Sequence, residues 1–160
     1  MSSPNNLIIN KSKPLIGNLK IPGDKSISHR SIILGSLSNG ELTISNFLTS
    51  DDCNATISAM RELGADITLN DNQLHIKGKG LFSLKQPKNI IDAGNSGTLI
   101  RLLTGVLAVQ DFDSMITGDA SLKKRPMGRI VKPLISCGAK IEANDHKAPL
   151  SIYGSTSLTP

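Results

Sequence analysis

Tryptophan is absent from this chain, tyrosine occurs once and phenylalanine three times. Stacking platforms for single-stranded nucleic acid are built from aromatic rings, so that class of binding is not expected. Cysteine occurs only at positions 53 and 137, each within an apolar helical pattern, which reads as two buried thiols with neither a bridge nor a metal site. His29, His75 and His146 stand at no metal-ligand spacing with another histidine, a cysteine or a carboxylate. Of these only His29, beside a basic helix start, lies near candidate chemistry. There is no Gly-x-Ser-x-Gly elbow, GxGxxG fingerprint or Walker A loop, so acyl chemistry and nucleotide binding find no support, and no metal or cofactor is expected. No run of eighteen apolar residues occurs and none follows the initial methionine, so neither a membrane span nor a signal peptide is expected, and the expected location is cytoplasmic.

What the chain does have is a globular composition: 160 residues, 38% apolar and 19% charged. Its net charge of +5 gathers at a few loop and helix-start positions, which suits a small anionic ligand better than a polyanion such as nucleic acid.

The second half of the sequence echoes the first. Cys53, Ile57, Met60 and Leu63 follow helical spacing and end at Gly64; Met127, Val131, Leu134 and Cys137 repeat it and end at Gly138, each position shifted by 74. Each helix leads into a predicted hairpin, "ADITLN" with "QLHIK" and "AKIEA" with "PLSIY", and follows a β-like segment, "ELTISNFL" or "FDSMITG". Earlier still stand two more helix patterns, "KSISHRSIILGSLS" and "SGTLIRLLTGVLAV", with Arg30 and Arg101 in matching places. The predicted architecture is therefore α/β (α+β), a βαβαββ unit used twice, over residues 21–87 and 88–154. Residues 1–20, with a possible hairpin between "NLIIN" and "LIGNLKI", fall outside the units, and 155–160 read as a linker leading onward. Two units leave an open side, since such repeats bury their faces against neighbours, so the chain is expected to be a fragment.

Departures from the repetition mark candidate chemistry. In "IPGDKSISHR" Asp24 is the expected N-cap, and Ser26 and Arg30, four apart, share a face with Lys25 adjacent. A hydroxyl, an ammonium and a guanidinium fork at a positive helix end call for an external oxyanion; the alternative is a capped helix with solvated bases. "DAGNSGT" carries glycines at 94 and 97 that let N–H groups approach a ligand, or simply form a tight turn. Where the first helix pattern starts with the capping acids Asp51 and Asp52, the second has "KKRP", placing Arg125 opposite Asp51 with Pro126 at the first helical position.

"PGDKSISHRSIILGSLSNGELTISNFLTSDDCNATISAMRELGA", "GNSGTLIRLL" and "TGDASLKKRPMGRIVKPLISCGAKI" together resemble the N-terminal portion of the 5-enolpyruvylshikimate-3-phosphate synthase family. The resemblance covers nearly the whole chain. It implies an inside-out α/β barrel of two domains, each of three βαβαββ units, with this chain holding about two units of one domain and with residues 1–20 belonging to the other. It also implies the substrates shikimate 3-phosphate and phosphoenolpyruvate. By the same resemblance Lys25 touches both substrates and assists proton transfer, and Ser26 and Arg30 hold the shikimate phosphate. Asn95 and Gly97 border the phosphoenolpyruvate site, and Arg125, the second catalytic residue, binds its anionic groups. The chain alone is expected to be inactive. The alternatives are a sister enolpyruvyl transferase, although the one acting on UDP-N-acetylglucosamine lacks the "KSxSHR" start, and a non-catalytic anion or nucleic-acid binding module.

Overall fold

Two runs of secondary structure follow one another in the computed structural model, which describes residues 8, 10, 11, 13, 14 and 16–159. The first comprises α1 (Lys25–Leu37), β1 (Asn39–Ile44), α2 (Asp51–Glu62), β2 (Asp66–Asn70) and β3 (Gln73–Lys79). The second comprises β4 (Ile91–Asp92), α3 (Gly97–Ala108), β5 (Ser114–Thr117), α4 (Gly128–Ser136), β6 (Lys140–Ala143) and β7 (Leu150–Tyr153). Each run closes its own sheet, in the order β1-β3-β2 and β4-β5-β7-β6. β1, β3 and β2 thus answer to β5, β7 and β6, all paired antiparallel, while β4 alone runs parallel, against β5. The alternating α/β order is as expected.

The sequence repeat survives in its first two helix positions and its glycines. Leu134 and Cys137, which answer to the buried Met60 and Leu63, are only half-buried, so Cys137 is not the buried thiol expected. Cys53 and Ile57 on α2, and Met127 and Val131 at the start of α4, are buried. Gly64 and Gly138 both end their helices with positive φ, 85° and 95°, the left-handed position that glycine takes without a Cβ penalty. α3 is the hub: it packs against α1, α2, α4, β5 and β7, and Leu99, Ile100, Leu103 and Leu107 are all fully buried. A helix apolar on more than one stripe belongs in the middle of a core rather than on its surface. α1 lies close on the first sheet at Gly35, where a Cβ would come 2.9 Å from Leu42 and 3.0 Å from Ile76.

Two further expectations need correcting. The first run lacks the leading strand of the βαβαββ pattern: residues 16–24 reach α1 without forming one, so the outer edge of β1 has no partner among the described residues. Pro22 offers no N–H to a ladder, and the segment is instead tied to the loop after β1, where Asn46 Nδ2 donates to Ile21 O at 3.5 Å. The possible hairpin within residues 1–20 falls largely outside the described residues. In the second run, Pro126 is not the first residue of α4. Leu122–Lys124 form a 3-10 turn, Arg125 is extended (φ −79°, ψ 138°), and the helix begins only at Gly128. An extended Arg125 would suit a helix opening on Pro126, so the delay lies at Met127, which has φ −107° and ψ 2° and gives its N–H to His146 O at 2.7 Å.

Candidate functional site

Two basic clusters lie at helix starts, and each is built around a carboxylate. At the first, Asp24 caps α1 by accepting the Ile27 N–H at 2.7 Å, as its position before the helix predicted. No acid follows in the first turn. Lys25 donates to the Asp52 carboxylate of α2 at 2.9 Å. The pair is solvent-exposed enough to add little stability, so its consequence is positional: it draws the ammonium toward α2. The hydrogen bond and charge of Asp52 raise the Lys25 pKa. In this state Lys25 is suited to holding an anion more than to releasing a proton near neutral pH. Ser26 exposes its side chain, and Arg30 donates back to the Ser26 carbonyl at 3.2 Å, so these two share a face.

His29 does not line that face. It is fully buried, with Nδ1 2.7 Å from Thr56 Oγ1. Because the Thr56 hydroxyl donates to the Asp52 carbonyl at 3.2 Å, it accepts from the imidazole; the proton sits on Nδ1, and Nε2 is left buried without a partner. Burial lowers the His29 pKa, with Asp52 opposing and with Lys25 and Arg30 adding to the fall. The unfolded chain therefore takes up a proton near pH 6.5 that the folded chain refuses, so stability is complete above that pH and declines below it. Urea unfolding should show stability falling between pH 7.5 and 5.5 by at most about 1.4 kcal/mol per pH unit from this group, and His29→Gln should flatten that component. An unchanged slope in the variant would mean that His29 titrates alike in both states.

The second cluster follows from the parallel pairing of β4 and β5. Their ends leave the sheet side by side, the Ala93 N–H bonding to Thr117 O at 2.9 Å and the Asp119 N–H to Gly94 O at 2.8 Å. This sets Asn95 against the segment that carries Arg125. Arg125 Nη2 donates to Asn95 Oδ1 at 2.5 Å, and Asn95 Nδ2 donates to Asp119 Oδ2 at 2.7 Å. Asp119 Oδ1 also accepts the Leu122 N–H at 2.7 Å; these bonds, that from Asn95 foremost, hold its carboxyl below the usual carboxylate range. One turn into α3, Arg101 donates to Gly97 O at 2.9 Å and to Pro126 O at 3.2 Å.

Gly97 lies beneath both guanidinium groups. A Cβ there would stand 2.7 Å from Arg101 Nη1 and 3.2 Å from Arg125 Nη1. Two fixed cations thus flank the start of α3, where unpaired N–H groups and the positive end of the macrodipole also favour an anion.

Asn95, Gly97 and Arg125 are thus brought together, as are Ser26 and Arg30. Lys25 is turned toward α2, and among the described residues no hydrogen bond or ion pair joins the α1 cluster to the α3 cluster. They share a border instead. Arg30 lines a groove of about 220 Å³ with Ile33, Leu34, Leu102 and Val106, and Leu102 also lines a groove of about 640 Å³ with Arg101, Pro126, Arg129 and Ile130. Sequence reasoning missed Asp52 and Asp119 as partners. Asp52 reads as an ordinary acid at a helix start, and nothing in the pattern singles out Asp119.

The profile of EPSP synthase (3-phosphoshikimate 1-carboxyvinyltransferase) matches residues 9–159. The chain is 51% identical over 153 residues to the 3-phosphoshikimate 1-carboxyvinyltransferase of Pelotomaculum thermopropionicum, covering 94% of this chain and 36% of that protein. To its counterpart from Legionella pneumophila it is 51% identical over 151 residues, covering 92% and 35%. The fold matches the EPSP synthase of Acinetobacter baumannii with a TM-score of 0.84 at 45% identity, over 89% of this chain and 33% of that one. The chain thus spans about a third of the length of the relatives it matches. With its alternating α/β order and both basic helix starts inside the matched region, the chain belongs to the EPSP synthase family of transferases.

Proposed function

We propose that this chain supplies part of the substrate site of an enzyme that transfers the enolpyruvyl group of phosphoenolpyruvate to the 5-hydroxyl of shikimate 3-phosphate. The hydroxyl oxygen adds to C2 of phosphoenolpyruvate as C3 takes up a proton. The tetrahedral intermediate then expels phosphate and returns a proton from C3, leaving the enol ether. Both reactants are anions, so the demand on the protein is to hold them together against their repulsion. The carrying observation is the pair of guanidinium groups, Arg101 and Arg125, over Gly97 at the start of α3. Phosphoenolpyruvate is assigned to that end, with Asn95, Gly97 and Arg125. The phosphate of shikimate 3-phosphate is assigned to Ser26 and Arg30, with Lys25 reaching both ligands once it leaves Asp52.

Residues 21–87 and 88–154 are proposed as two of three units of one domain. The apolar groove between α1 and α3, with Leu34 63% exposed, supports a third unit lying against it. The catalytic acids and remaining bases are assigned to the rest of the enzyme, so the chain alone should turn over no substrate. The test is an amide NMR titration with each substrate, repeated on Lys25→Ala, Arg30→Ala and Arg125→Ala. Saturable shifts from shikimate 3-phosphate around residues 24–30, lost in the first two variants, and from phosphoenolpyruvate around 94–98, lost in the third, are expected. Shifts spread over the surface that survive all three variants would overturn the assignment. Phosphate release by the isolated chain from the two substrates together would overturn its inactivity.

A further inference from the structure

Asp119 places a negative charge beside a cluster that favours negative ligands, and it does so without an ion pair to any base among the described residues. We infer that Asp119 is a positioning residue: its carboxylate fixes the amide of Asn95, and Asn95 in turn aims the guanidinium of Arg125 at the start of α3. The inference rests on the anion-binding reading of that site and adds to it a residue that need not touch the ligand.

The reasoning follows the donors. An asparagine amide can face either way, with its oxygen or its NH2 toward a given neighbour. An ionised carboxylate accepts and never donates, so Asp119 Oδ2 admits only the NH2 of Asn95, at 2.7 Å. Asn95 Oδ1 is thereby left facing Arg125 and receives Nη2 at 2.5 Å. With Nη2 engaged, Nη1 lies over Gly97, where a Cβ would be 3.2 Å away. A reversed amide would set its NH2 against the guanidinium, donor against donor, and leave Arg125 Nη2 only its longer bond to Ser121 Oγ, at 3.5 Å. Asp119 itself is anchored by two bonds independent of Asn95: its N–H to Gly94 O, and its Oδ1 accepting from Leu122. The depressed pKa of the carboxyl keeps it an acceptor well into the acid range. The choice of carboxylate is then explained by orientation, since an amide in its place would permit either facing.

The two oxygens of Asp119 have separate tasks, which makes the inference testable. Asp119→Asn can keep an oxygen for the Leu122 N–H while offering NH2 to Asn95, so the turn stays capped and the amide of Asn95 is reversed. On 15N-labelled chain the expected result is a shifted Asn95 side-chain NH2 pair and a more mobile Arg125 Nε–Hε signal, with the backbone amides of α3 and α4 unmoved. Affinity for phosphoenolpyruvate should fall about tenfold, the usual scale for a lost charge-assisted bond. Asn95→Ala removes the relay while leaving Asp119 its turn bonds, and Arg125 should loosen there too; this variant decides the matter if Asp119→Asn does not fold. An Arg125 signal as ordered as wild type in either folded variant overturns the inference. Should wild type itself fail to bind phosphoenolpyruvate, the ligand reading falls, while Arg125 order in the free protein still decides the role of Asp119.

Discussion

Leu103→Ala should cost about 3 kcal/mol of stability, within a range of roughly 2–5 for a large aliphatic side chain truncated in a closed core. Leu103 is 0% exposed at the middle of α3, the one helix that packs against the other three and against strands of its own sheet. Removing three carbons there forfeits their transfer free energy and leaves a cavity walled by elements of both halves, which cannot all move inward at once. For a domain of this size the melting temperature should drop by roughly 10 °C. Leu34→Ala on α1 supplies the contrast. Its side chain is 63% exposed, so the same truncation should stay within about 0.5 kcal/mol. Thermal unfolding of both variants measures the difference. Equal losses would mean that the face of α1 bearing Leu34 is covered in solution.

The repeat was the most legible feature because it is written in side-chain volume and glycine placement, which single-chain periodicity reports directly. Cys53 with Met127 and Ile57 with Val131 are buried at matching turns, and Gly64 and Gly138 stop both helices. The absence of a leading strand in the first half was not foreseen, since a strand needs a partner and Pro22 withdraws a donor where the repeat pattern calls for one. The start of α4 was misread for a different reason. Proline sits well at a first helical position and an extended Arg125 agrees with that, but the chain leaves helical geometry again at Met127, where no local sequence rule marks a break.

The candidate site was legible as residue types and not as pairings. Lys25, Ser26 and Arg30 could be found by asking why bases stand at a positive helix end. That question does not reveal that Lys25 reaches Asp52, 27 residues away, or that Asp119 reaches Asn95 across 24. Both carboxylates sit where local rules already excuse them, one at a helix start and one in a turn, so their tertiary partners leave no sequence signal. His29 shows the converse. Its position beside three ligand candidates set it near candidate chemistry, yet the helical turn points it inward to Thr56.

Gly97→Ala should separate stability from ligand binding at the same position. Gly97 carries no positive φ and occupies the first turn of α3, so alanine fits the backbone and, by restricting the unfolded chain, contributes about 0.4–1 kcal/mol. Against this, the new methyl would lie 2.7 Å from Arg101 Nη1, a distance that forces a shift, and 3.2 Å from Arg125 Nη1. The ends of long side chains move readily, at the loss of the Arg101 bonds to Gly97 O and Pro126 O, about 1 kcal/mol on balance. The two effects nearly cancel, and urea unfolding should place the variant within about 1 kcal/mol of wild type. Binding has no such offset. Both guanidinium groups are displaced from the start of α3, and the methyl occupies space that an anion needs to reach the free N–H groups, so affinity for phosphoenolpyruvate should fall at least about tenfold, or 1.4 kcal/mol. Wild-type affinity with the methyl in place would show that the anion approaches from another side of Arg125. Reduced stability with intact binding would instead make Arg101 a brace of the fold and remove it from the ligand's path.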